Sequence, residues 1–530
     1  MSTVSLSRFS GKDPVAVFAA AMEYLRAHPN TELFIAPGVY ELTSEQARAA
    51  QQAVMTGAYG ENPQKVMFCP QYRYTRAVTL EGLRGCTLLA YGVTLLIDGF
   101  LQPLSVLHSR DIHIRGLTID YKRKPYSRGT VRQLLPSAAD GTRECLVEWD
   151  ANCPVCEGTP LLLRTLFHDV QTGRSVPGRA LRCRTVDAHH TWFTLADADA
   201  LRPGLLFYTV HTLHARPAIL LEHSSDVRLT DVTIHSQPGM GIVGNRCQNV
   251  TLTRLCVVPS AGQHLSTNTD ATHFTSLRGL LRVEDCLFEG QGDDAVNVHA
   301  YYQEVVGRPA PQTYLLQEKT PDGTHAQTLD YPDVGDVLEL VEKATLRTVG
   351  HYTVTACEPL PQQWMCRVTL EHPLPEKTDG LALADITRLP RLEFVGCRTR
   401  RHFARGVLVK TRSALIENCT FEQVQGPAVA AAAEAWWSEG VCPANIVIRH
   451  NRIRECAGVW GEASVVVKAD CETPTAQSIR NIVIEHNRID STDGKPGIYA
   501  RGVDGLCLAD NNITKSAQPV IVENCSLLSR

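Results

Sequence analysis

The chain of 530 residues carries 52 basic and 56 acidic side chains, a formal charge of −4, and 44% of its residues are apolar. This composition excludes a disordered or collagen-like chain. The near-neutral charge, without any Lys/Arg run, argues against nucleic acid or an anionic membrane as the main partner. No stretch reaches the roughly 18 consecutive apolar residues that a membrane-spanning helix needs. The length allows several ordinary domains or one elongated repeat domain with insertions.

The N-terminal segment begins with an amphipathic helix. Asp13 and Pro14 predict an N-cap and a first helical residue, and apolar side chains follow at helical spacing until His28. The next segment, ELFIAPGVYEL, predicts two strands joined by a Pro-Gly turn. A helix that caps a first strand pair is typical of the start of a right-handed β-helix.

The same segment lacks the positive charge and continuous apolar core of a secretory signal peptide. We expect either a cytoplasmic protein, or a periplasmic or extracellular protein whose signal peptide has been removed.

A short template, apolar-x-apolar-x-x-apolar-x-apolar, recurs along most of the chain. Alternation broken by a two-residue step predicts a strand, a bend and a second strand, with inward side chains on both. Copies begin at Cys86, Ile112, Val227, Val250, Leu281, Leu392, Ala414, Ile446, Ile482 and Leu506. Val250 follows Val227 by 23 residues and Ala414 follows Leu392 by 22, which is one coil of a parallel β-helix. In the first copy the template places Tyr91 and Val93 inward.

Two kinds of side chain share one position of the template in successive copies. The earlier copies have cysteine there and the later ones asparagine: Cys286, Cys397 and Cys419, then Asn451, Asn487 and Asn511. Stacked asparagines at such bends hydrogen bond from coil to coil. We expect the cysteines to be buried free thiols that act as small apolar side chains.

Two gaps interrupt the repeat, 115 residues from Ile112 to Val227 and 111 residues from Leu281 to Leu392. Each leaves roughly 90 residues beyond one coil, enough for a small domain. Both contain short strand patterns separated by Gly, Asp and Pro turns. We therefore predict an all-β fold, a right-handed parallel β-helix with two inserted β-barrel-like domains. The predicted boundaries are 1–125 for the N-terminal cap helix and first β-helix coils, 213–302 for the central coils and 389–530 for the C-terminal coils. The two inserts are predicted at 126–212 and 303–388.

Three acidic residues, Asp270, Asp293 and Asp294, fall on neighbouring coils. Asp293 follows Asp270 by 23 residues, and neighbouring strands lie about 4.8 Å apart. We expect the three carboxyl groups to form one cluster. Mutual repulsion then raises the pKa of at least one of them, so that one is protonated while another is ionised. That combination is what acid/base cleavage of a glycosidic bond requires.

The alternatives are a calcium site and solvated turn acids. Calcium prefers carboxylates and carbonyls wrapped in one tight loop, whereas these acids are split between coils. Turn acids are common, but they seldom converge with polar neighbours. Val296 and Val298 are predicted to point into the core, which places Asn297 and His299 on the surface that carries the acids.

Four segments resemble glycoside hydrolase family 110: NTDATHF (268–274), GDDAVNVHAYY (292–302), RGVLVKTRSALIENCTF (405–421) and AEAWWSEG (433–440). More distantly, N-T-D followed by G-x-D-D is similar to the polygalacturonases of glycoside hydrolase family 28. The chain lacks their G-H-G motif and their compact R-x-K, which disfavours pectin cleavage.

The resemblance implies an exo-acting α-1,3-galactosidase that inverts the anomeric centre and uses no cofactor. It implies Asp293 as the general acid and Asp270 with Asp294 as the pair that holds and activates water; the local sequence does not itself distinguish Asp293 from Asp294. Blood-group-B-type and linear α-1,3-galactosyl glycans are the implied substrates. Inversion typically needs roughly 6.5–9.5 Å between the carboxyl groups.

Further side chains are predicted to contact the substrate. Arg405 and Lys410 lie on the coil after the second insert and are expected to bind sugar hydroxyls, with a surface salt bridge as the alternative. Trp436 and Trp437 are expected to form a platform for the apolar face of a sugar, with core packing as the alternative. Glu439 is expected to orient a hydroxyl.

Asn268, His273, Asn297 and His299 are expected to hydrogen bond the substrate or to support groups that do. No metal ligands are predicted, because the only C-x-x-C pair, Cys153 and Cys156, has no second pair or histidine partner at suitable spacing.

Other functions remain open. One is a different β-helix polysaccharide hydrolase, related to polygalacturonases or to enzymes of carrageenan and other sulfated galactans. Another is a non-enzymatic glycan-binding β-solenoid, for which the three acids would be dispensable. The expected partner is a galactose-terminated glycan, with no nucleic acid and no membrane span; a homo-oligomer is left open.

Overall fold

The computed structural model describes residues 2–69, 71–317, 329–459, 461–474 and 478–528. Two long parallel sheets run the length of the molecule and enclose one continuous apolar core, so the predicted parallel β-helix is confirmed. Among the described residues, no helix is long and apolar enough to cross a membrane.

The first sheet, called here the wide sheet, has 21 strands among the described residues. They are Ser2–Ser5, Thr31–Phe34, Gly38–Thr43, Arg84–Asp98, Arg110–Tyr121, Ser225–Thr230, Thr233–Ile234, Gln248–Thr253, Cys256–Val257, Arg278–Glu284, Leu287–Glu289, Arg391–Val395, Arg398–Arg400, Ala414–Glu417, Thr420–Glu422, Ala444–Arg449, Arg452–Arg454, Ile479–Glu485, Arg488–Gly494, Val503–Ala509 and Asn512–Ser516.

The second sheet, called here the site sheet, has 12 strands. They are Arg76–Glu81, Gln102–Leu107, Ile219–Glu222, Ile242–Asn245, Thr272–Thr275, Val296–Tyr301, Val407–Val409, Val429–Glu434, Glu439–Gly440, Val465–Asp470, Ile498–Arg501 and Val520–Glu523. All pair in parallel except Glu439–Gly440, which pairs antiparallel with two neighbours.

Helices cover the first coils. The predicted helix is confirmed as Pro14–Ala27, with Oδ1 of Asp13 accepting a hydrogen bond from the N–H of Ala16 at 2.8 Å. The helices Glu45–Met55 and Gln64–Met67 were not predicted. In the part of the chain that the structure describes, short 3-10 helices cover Leu6–Arg8, Pro361–Gln363 and Ala435–Trp437.

The register confirms the repeat template. Ile112 pairs with Val227, and Leu281 pairs with Leu392, so coils separated by an insert in sequence are neighbours in space. The first copy is the exception, because Val93 pairs with Leu117 rather than with Ile119. Two extra residues at this bend leave Tyr91 43% exposed, so the prediction that Tyr91 points inward is wrong.

The cysteines and asparagines that share one template position form a continuous buried ladder. The N–H of Cys286 donates to Sγ of Cys397 at 3.4 Å, and the N–H of Cys419 donates to Oδ1 of Asn451 at 2.9 Å. Nδ2 of Asn451 then donates to Oδ1 of Asn487 at 3.0 Å. These side chains satisfy backbone groups that the bend removes from the strand ladders.

The first insert is a seven-stranded antiparallel sheet folded around its own apolar core. Its strands are Tyr126–Leu134, Arg143–Trp149, Thr165–Asp169, Arg174–Val176, Arg179–Asp187, His190–Ala196 and Leu206–Val210. Within the described residues, its two edge strands, Arg174–Val176 and Arg179–Asp187, do not pair with each other.

The second insert is a closed six-stranded antiparallel barrel. Its strands are Gln303–Ala310, Thr313–Gln317, Val337–Glu342, Arg347–Leu360, Met365–Leu370 and Leu381–Asp385. It follows directly on the site-sheet strand Val296–Tyr301, and both the barrel and the first insert therefore flank the coils that carry the predicted acids.

We expect Asn487→Ala to lower the free energy of unfolding by about 2–4 kcal/mol, because it leaves buried donors of Asn451 without their acceptor. Oδ1 of Asn487 accepts from both the backbone N–H and Nδ2 of Asn451 at 3.0 Å, and its own Nδ2 donates to the carbonyl of Ile448. Urea unfolding measures the change. The exposed Asn512 is the control position, where Asn512→Ala should change stability by less than about 0.5 kcal/mol. Equal effects of the two variants would contradict a stabilising ladder.

Candidate functional site

The three predicted acids converge in the turns that precede two neighbouring strands of the site sheet. One carboxylate oxygen from each of Asp270, Asp293 and Asp294 lies within 4.8 Å of the others. The pairing of Thr272 with Val296 sets Asp270 opposite Asp294 rather than opposite Asp293. The spacing of 23 residues therefore predicted the cluster correctly, but it predicted Asp293 rather than Asp294 as the residue opposite Asp270.

Because Asp293 is one residue out of this register, its side chain has a different environment. It is 25% exposed, whereas the side chains of Asp270 and Asp294 are 7% and 2% exposed. Asp293 is thus the acid that a ligand can reach most easily.

Arg405 holds Asp294 from the next coil. The pairing of Val296 with Val407 brings Arg405 beside Asp294. Its Nε donates to Oδ1 and its Nη2 donates to Oδ2 of Asp294, both at 2.9 Å, and its backbone N–H donates to Oδ1 at 2.8 Å. The predicted sugar contact is therefore at most a second function, since the guanidinium fork is matched to the carboxylate.

The site has more acids than cations. Burial raises the pKa of Asp294 to about 7, Arg405 opposes this shift, and Asp293 and Asp270 add to it. Five carboxyl groups, including Glu434 and Glu439, surround three cations, which are Arg164, Arg405 and Lys410. Because the carboxyl groups outnumber the cations by two, the cluster favours binding a proton more strongly than isolated carboxyl groups do.

Arg164 reaches the acids from the first insert and was not among the predicted site residues. Its Nη2 donates to Oδ2 of Asp293 at 2.7 Å, and its Nη1 donates to the carbonyl oxygens of Gly292 and Asn268. It precedes the strand Thr165–Asp169 of a sheet whose placement against the coils is not encoded in the repeat. No pattern in the sequence identifies it.

His273 and His299 lie next to the acids on the same face of the site sheet as Asn297, and the prediction that Asn297 and His299 share the surface of the acids agrees with this placement. Nδ1 of His273 is 2.7 Å from Oδ2 of Asp270, and its Nε2 is 2.8 Å from Nε2 of His299. Burial lowers the pKa of His273 to about 4 and lowers the pKa of His299 well below its usual value. His299 is fully buried and, among the described residues, is not part of the lining of either cavity at the acids, so it is placed to support other groups rather than to contact the substrate.

Lys410 is fully buried as well, beneath the cavity floor. Its Nζ lies 2.5 Å from Oε2 of Glu439 and 2.8 Å from Oε2 of Glu434, and 3.4 Å from Oδ1 of Asn297. Burial acts to raise the pKa of Glu434, but Lys410 and Arg405 outweigh it and hold that pKa below its usual value. The predicted contact of Lys410 with sugar hydroxyls is replaced by an internal ion pair that positions two glutamates.

Two cavities meet at the acids. The smaller, of about 320 Å³, contains all three aspartates together with His273, Asn297, Arg405 and Glu439. The larger, of about 580 Å³, shares with it Arg164, Asp293, Arg405, Glu434 and Trp437. Asp293 is the only one of the three acids that borders both cavities, among the residues that the structure describes.

The paired tryptophans separate in the structure. Trp437 is 53% exposed and lines both cavities, whereas Trp436 is 68% exposed and lines neither. Only Trp437 is therefore placed to stack on a sugar.

Asn268 is not placed to bind a substrate, contrary to the prediction. It is fully buried, and its Nδ2 donates to the carbonyls of Pro125 and Thr212 at 3.1 and 2.9 Å. These two residues flank the first inserted sheet, so Asn268 fastens both ends of the insert to the coil that carries Asp270.

Several wall residues of the smaller cavity were missed. Asn62, Gln64, Leu213 and His214 come from segments outside the repeat, whereas Met240 lies in the turn one coil before Asp270. Glu434 was also missed, although one signal marks it, since it is the single charge at the end of the buried strand Val429–Glu434. A lone acid at the end of a buried apolar strand requires a partner, here Arg405 and Lys410.

Two groups of side chains have donor atoms close enough to share a metal ion: the three aspartates, and His273 with His299 and Glu439. Neither donor set suits a resident cation, because Arg164 and Arg405 donate to the first and Lys410 is paired with Glu439 in the second. Both groups are better suited to holding protons and to pairing with these cations.

We expect Lys410→Met to destabilise the protein by about 3–5 kcal/mol near pH 7, because it leaves Glu434 and Glu439 buried without their cation. Lys410 helps to hold the pKa of Glu434 down, so its stabilising effect is present above the ordinary glutamate pKa and is lost as the pH falls. The difference in Tm between variant and wild type should therefore narrow from pH 7 towards pH 4. The control is Arg398→Met, which removes an arginine that is 48% exposed and pairs with Glu422 at the surface, with an expected cost below about 1 kcal/mol. A difference in Tm that is independent of pH would contradict this account.

No family model matches the chain. Curated relatives cover most of it: "Alpha-1,3-galactosidase B" of Bacteroides thetaiotaomicron is 26% identical over 97% of this chain and 86% of its own length. The corresponding protein of Phocaeicola vulgatus is 25% identical over 91% and 84%, and "Alpha-1,3-galactosidase A" of Bacteroides fragilis is 24% identical over 96% and 86%. Among solved structures, the A-module of Azotobacter vinelandii mannuronan C-5 epimerase AlgE4 aligns with a TM-score of 0.46 at 11% identity, covering 99% of this chain and all of the module. The predicted resemblance to α-1,3-galactosidases is thereby confirmed by relatives that match nearly the whole chain.

Proposed function

We propose that the protein is an exo-acting glycoside hydrolase that releases terminal α-1,3-linked galactose with inversion. The observation that carries the proposal is the position of Asp293 at the junction of two cavities, with Asp270 and Asp294 in the smaller cavity only. The names of the curated relatives supply the sugar and the linkage.

The arrangement suits a terminal sugar in the smaller cavity and the rest of the glycan in the larger one. At about 320 Å³ the smaller cavity is at the lower end of the range for small-molecule sites. Asn62 and Gln64 from the N-terminal part and His214 after the first insert form part of its wall. A sugar held there presents its glycosidic oxygen to Asp293, at the boundary with the larger cavity.

Asp293 then acts as the general acid. It protonates the leaving oxygen as the bond from that oxygen to the anomeric carbon breaks. Arg164, 2.7 Å from Oδ2 of Asp293, stabilises the carboxylate that forms in this step. Asp270 and Asp294, on the neighbouring side, direct a water molecule to the anomeric carbon.

Attack by water, rather than by a carboxylate, is supported by the contacts of Asp294. Both of its oxygens accept hydrogen bonds from Arg405, which disfavours formation of a covalent bond to the sugar. The carboxylate oxygens lie within 4.8 Å, closer than the roughly 6.5–9.5 Å typical of inverting enzymes. The anomer that is released first therefore tests the mechanism directly.

The larger cavity favours branched as well as linear acceptors. Its volume is about 580 Å³, and Lys468, Asp470 and Glu462 lie along its wall beyond Asp293. We extend the proposal to blood-group-B-type and linear α-1,3-galactosyl glycans, because this wall offers both charges for hydroxyl groups and the ring of Trp437 for an apolar sugar face.

The decisive test is hydrolysis of α-1,3-galactobiose followed by proton NMR from the first minutes. We expect wild type to release β-galactose first, and Asp293→Asn to be slower by about 10²–10⁴-fold, the usual contribution of general acid catalysis. The matched control Asp140→Asn, on an exposed turn of the first insert, should leave the rate unchanged.

Early release of α-galactose would overturn inversion and leave the glycosidase assignment in place. Full activity of Asp293→Asn would overturn the assignment of the acid. Binding of the disaccharide without hydrolysis by wild type would favour the glycan-binding β-solenoid instead.

Arg164 offers a second test, since its contact with Asp293 was not predicted. We expect Arg164→Met to lower kcat by about 10²-fold, with a smaller change in KM, because its charge stabilises a carboxylate that forms only during the reaction. Arg202→Met removes another arginine–aspartate pair of the same insert, with Asp169, and should leave kcat unchanged. Similar losses of kcat in both variants would indicate that the integrity of the first insert, rather than the charge of Arg164, determines the rate.

A further inference from the structure

Asp270, His273 and His299 form one buried hydrogen-bonded chain that ends on the backbone. Oδ2 of Asp270 is 2.7 Å from Nδ1 of His273, Nε2 of His273 is 2.8 Å from Nε2 of His299, and Nδ1 of His299 is 2.9 Å from the carbonyl oxygen of Ala300. As whole residues, the three are 5%, 2% and 0% exposed. Each of these three links must join a donor to an acceptor, which limits where protons can lie along them.

A carbonyl oxygen only accepts, so Nδ1 of His299 carries the proton in its bond to Ala300. A neutral imidazole has one N–H, which makes Nε2 of His299 an acceptor and requires Nε2 of His273 to be the donor. Nδ1 of neutral His273 then has no proton, yet it lies 2.7 Å from Oδ2 of Asp270. With Asp270 ionised and both rings neutral, one link of the chain always joins two lone pairs.

One additional proton removes this conflict. Carried on Oδ2 of Asp270, it makes each link a donor facing an acceptor and leaves the chain without net charge. Carried on a ring, it leaves an imidazolium beside an ionised Asp270. Burial opposes the charged rings and holds the pKa of His273 at about 4, so Asp270 is the better site in the resting protein.

Charged groups surround the chain on several sides. Titratable and charged groups face the two rings or share the cavity wall with His273. The acids are Asp293, Asp294, Glu434 and Glu439, the cations are Arg164, Arg405 and Lys410, and the other titratable groups are His214 and Tyr301. Lys410 opposes a charged ring, whereas Glu439, Asp294 and Asp293 favour it. The balance changes when Asp293 gives up its proton, because a new negative charge then forms near His273.

We propose that Asp270 acts as the base only together with His273, and that His299 holds the tautomer that makes this possible. As the water oxygen bonds to the anomeric carbon, its proton passes to Oδ1 of Asp270, and the proton on Oδ2 of Asp270 moves to Nδ1 of His273. Asp293 loses one proton to the leaving oxygen in the same step, so the charge of the site is unchanged. Return of a proton from the chain to Asp293 through water completes the cycle. His273 and His299 are positioning residues in this scheme, which rests on the proposed hydrolase function.

The test compares His299→Leu with His299→Gln. Leucine removes the acceptor for Nε2–H of His273, whereas the amide oxygen of glutamine retains one. Without the acceptor, His273 carries its proton on Nδ1 and Asp270 is ionised at rest, so the chain binds one proton fewer. Long-range nitrogen–proton correlation spectra of nitrogen-15-histidine-labelled protein near pH 7, assigned with His273→Gln, should show Nε2 of His273 protonated in wild type and His299→Gln. In His299→Leu it should be unprotonated.

The same variants change the pH dependence of kcat/KM. In wild type, activity falls at acid pH when the chain takes a second additional proton, whereas in His299→Leu it falls when the chain takes its first. A first proton binds at higher pH than a second. The acid limb, which is the part of the pH profile of kcat/KM where activity falls at low pH, should therefore move to higher pH by about one unit or more in His299→Leu. His299→Gln should keep the limb of wild type. His113→Leu, at a histidine on the wide sheet bonded to Thr230, is the control and should change neither the limb nor the rate.

An unprotonated Nε2 of His273 in wild type would overturn the proton arrangement. An acid limb that stays in place in His299→Leu, with only kcat reduced, would indicate a purely structural role and overturn the shared base. If wild type does not cleave α-1,3-galactosides, the proposed function fails and the shared base fails with it. The nitrogen spectra still decide the proton arrangement in that case.

Discussion

In-register pairing between successive parallel coils is the constraint on which the rest of this structure depends. Each coil must place its backbone opposite the next, so a side chain on one coil meets its counterpart about 4.8 Å away. In the core this stacks apolar groups, as in the column of Phe288, Phe394 and Phe421. On the site sheet the same rule stacks Asp270, Asp294 and Arg405, so the charges of the site are held at coil spacing by the main chain itself.

The two inserts preserve the in-register pairing of the coils. Each leaves the helix after one coil and returns in register with that coil, which keeps distant parts of the sequence adjacent. Asn268 bonds the carbonyls at both ends of the first insert and lies two residues before Asp270. Arg164 in turn reaches from that insert to Asp293. The first insert is thus joined to the acids by an amide below and a guanidinium beside them, which makes it part of the site and not only an appendage.

The repeat made the fold predictable, because hydrophobic spacing is a local property that survives long insertions. Every later copy of the template pairs as expected, and only the bend near Tyr91 has two residues too many. The acid cluster was predictable for the same reason, although its partner on the neighbouring coil is Asp294 for Asp270. Arg164, Gln64 and His214 were not predictable, since their positions depend on how loops and an inserted sheet pack against the coils. Neighbouring residues of the same type can also have different surroundings. Trp437 lines both cavities, whereas Trp436 lines neither.

An excess of acids in a buried site raises the question of what keeps it folded. Arg405, Lys410 and Arg164 neutralise three of five carboxyl groups, and each of these cations is fixed by at least two acceptors. Water cannot solvate the remaining negative charge well, because Asp270 and Asp294 are almost fully buried. In the proposed resting state, one proton on Asp293 and one between Asp270 and His273 bring the formal charge of the five carboxyl groups and three cations from −2 to 0 without adding a side chain. Burial makes an unpaired carboxylate costly, and in the proposed mechanism the same burial keeps a proton next to the place where a water molecule must lose one.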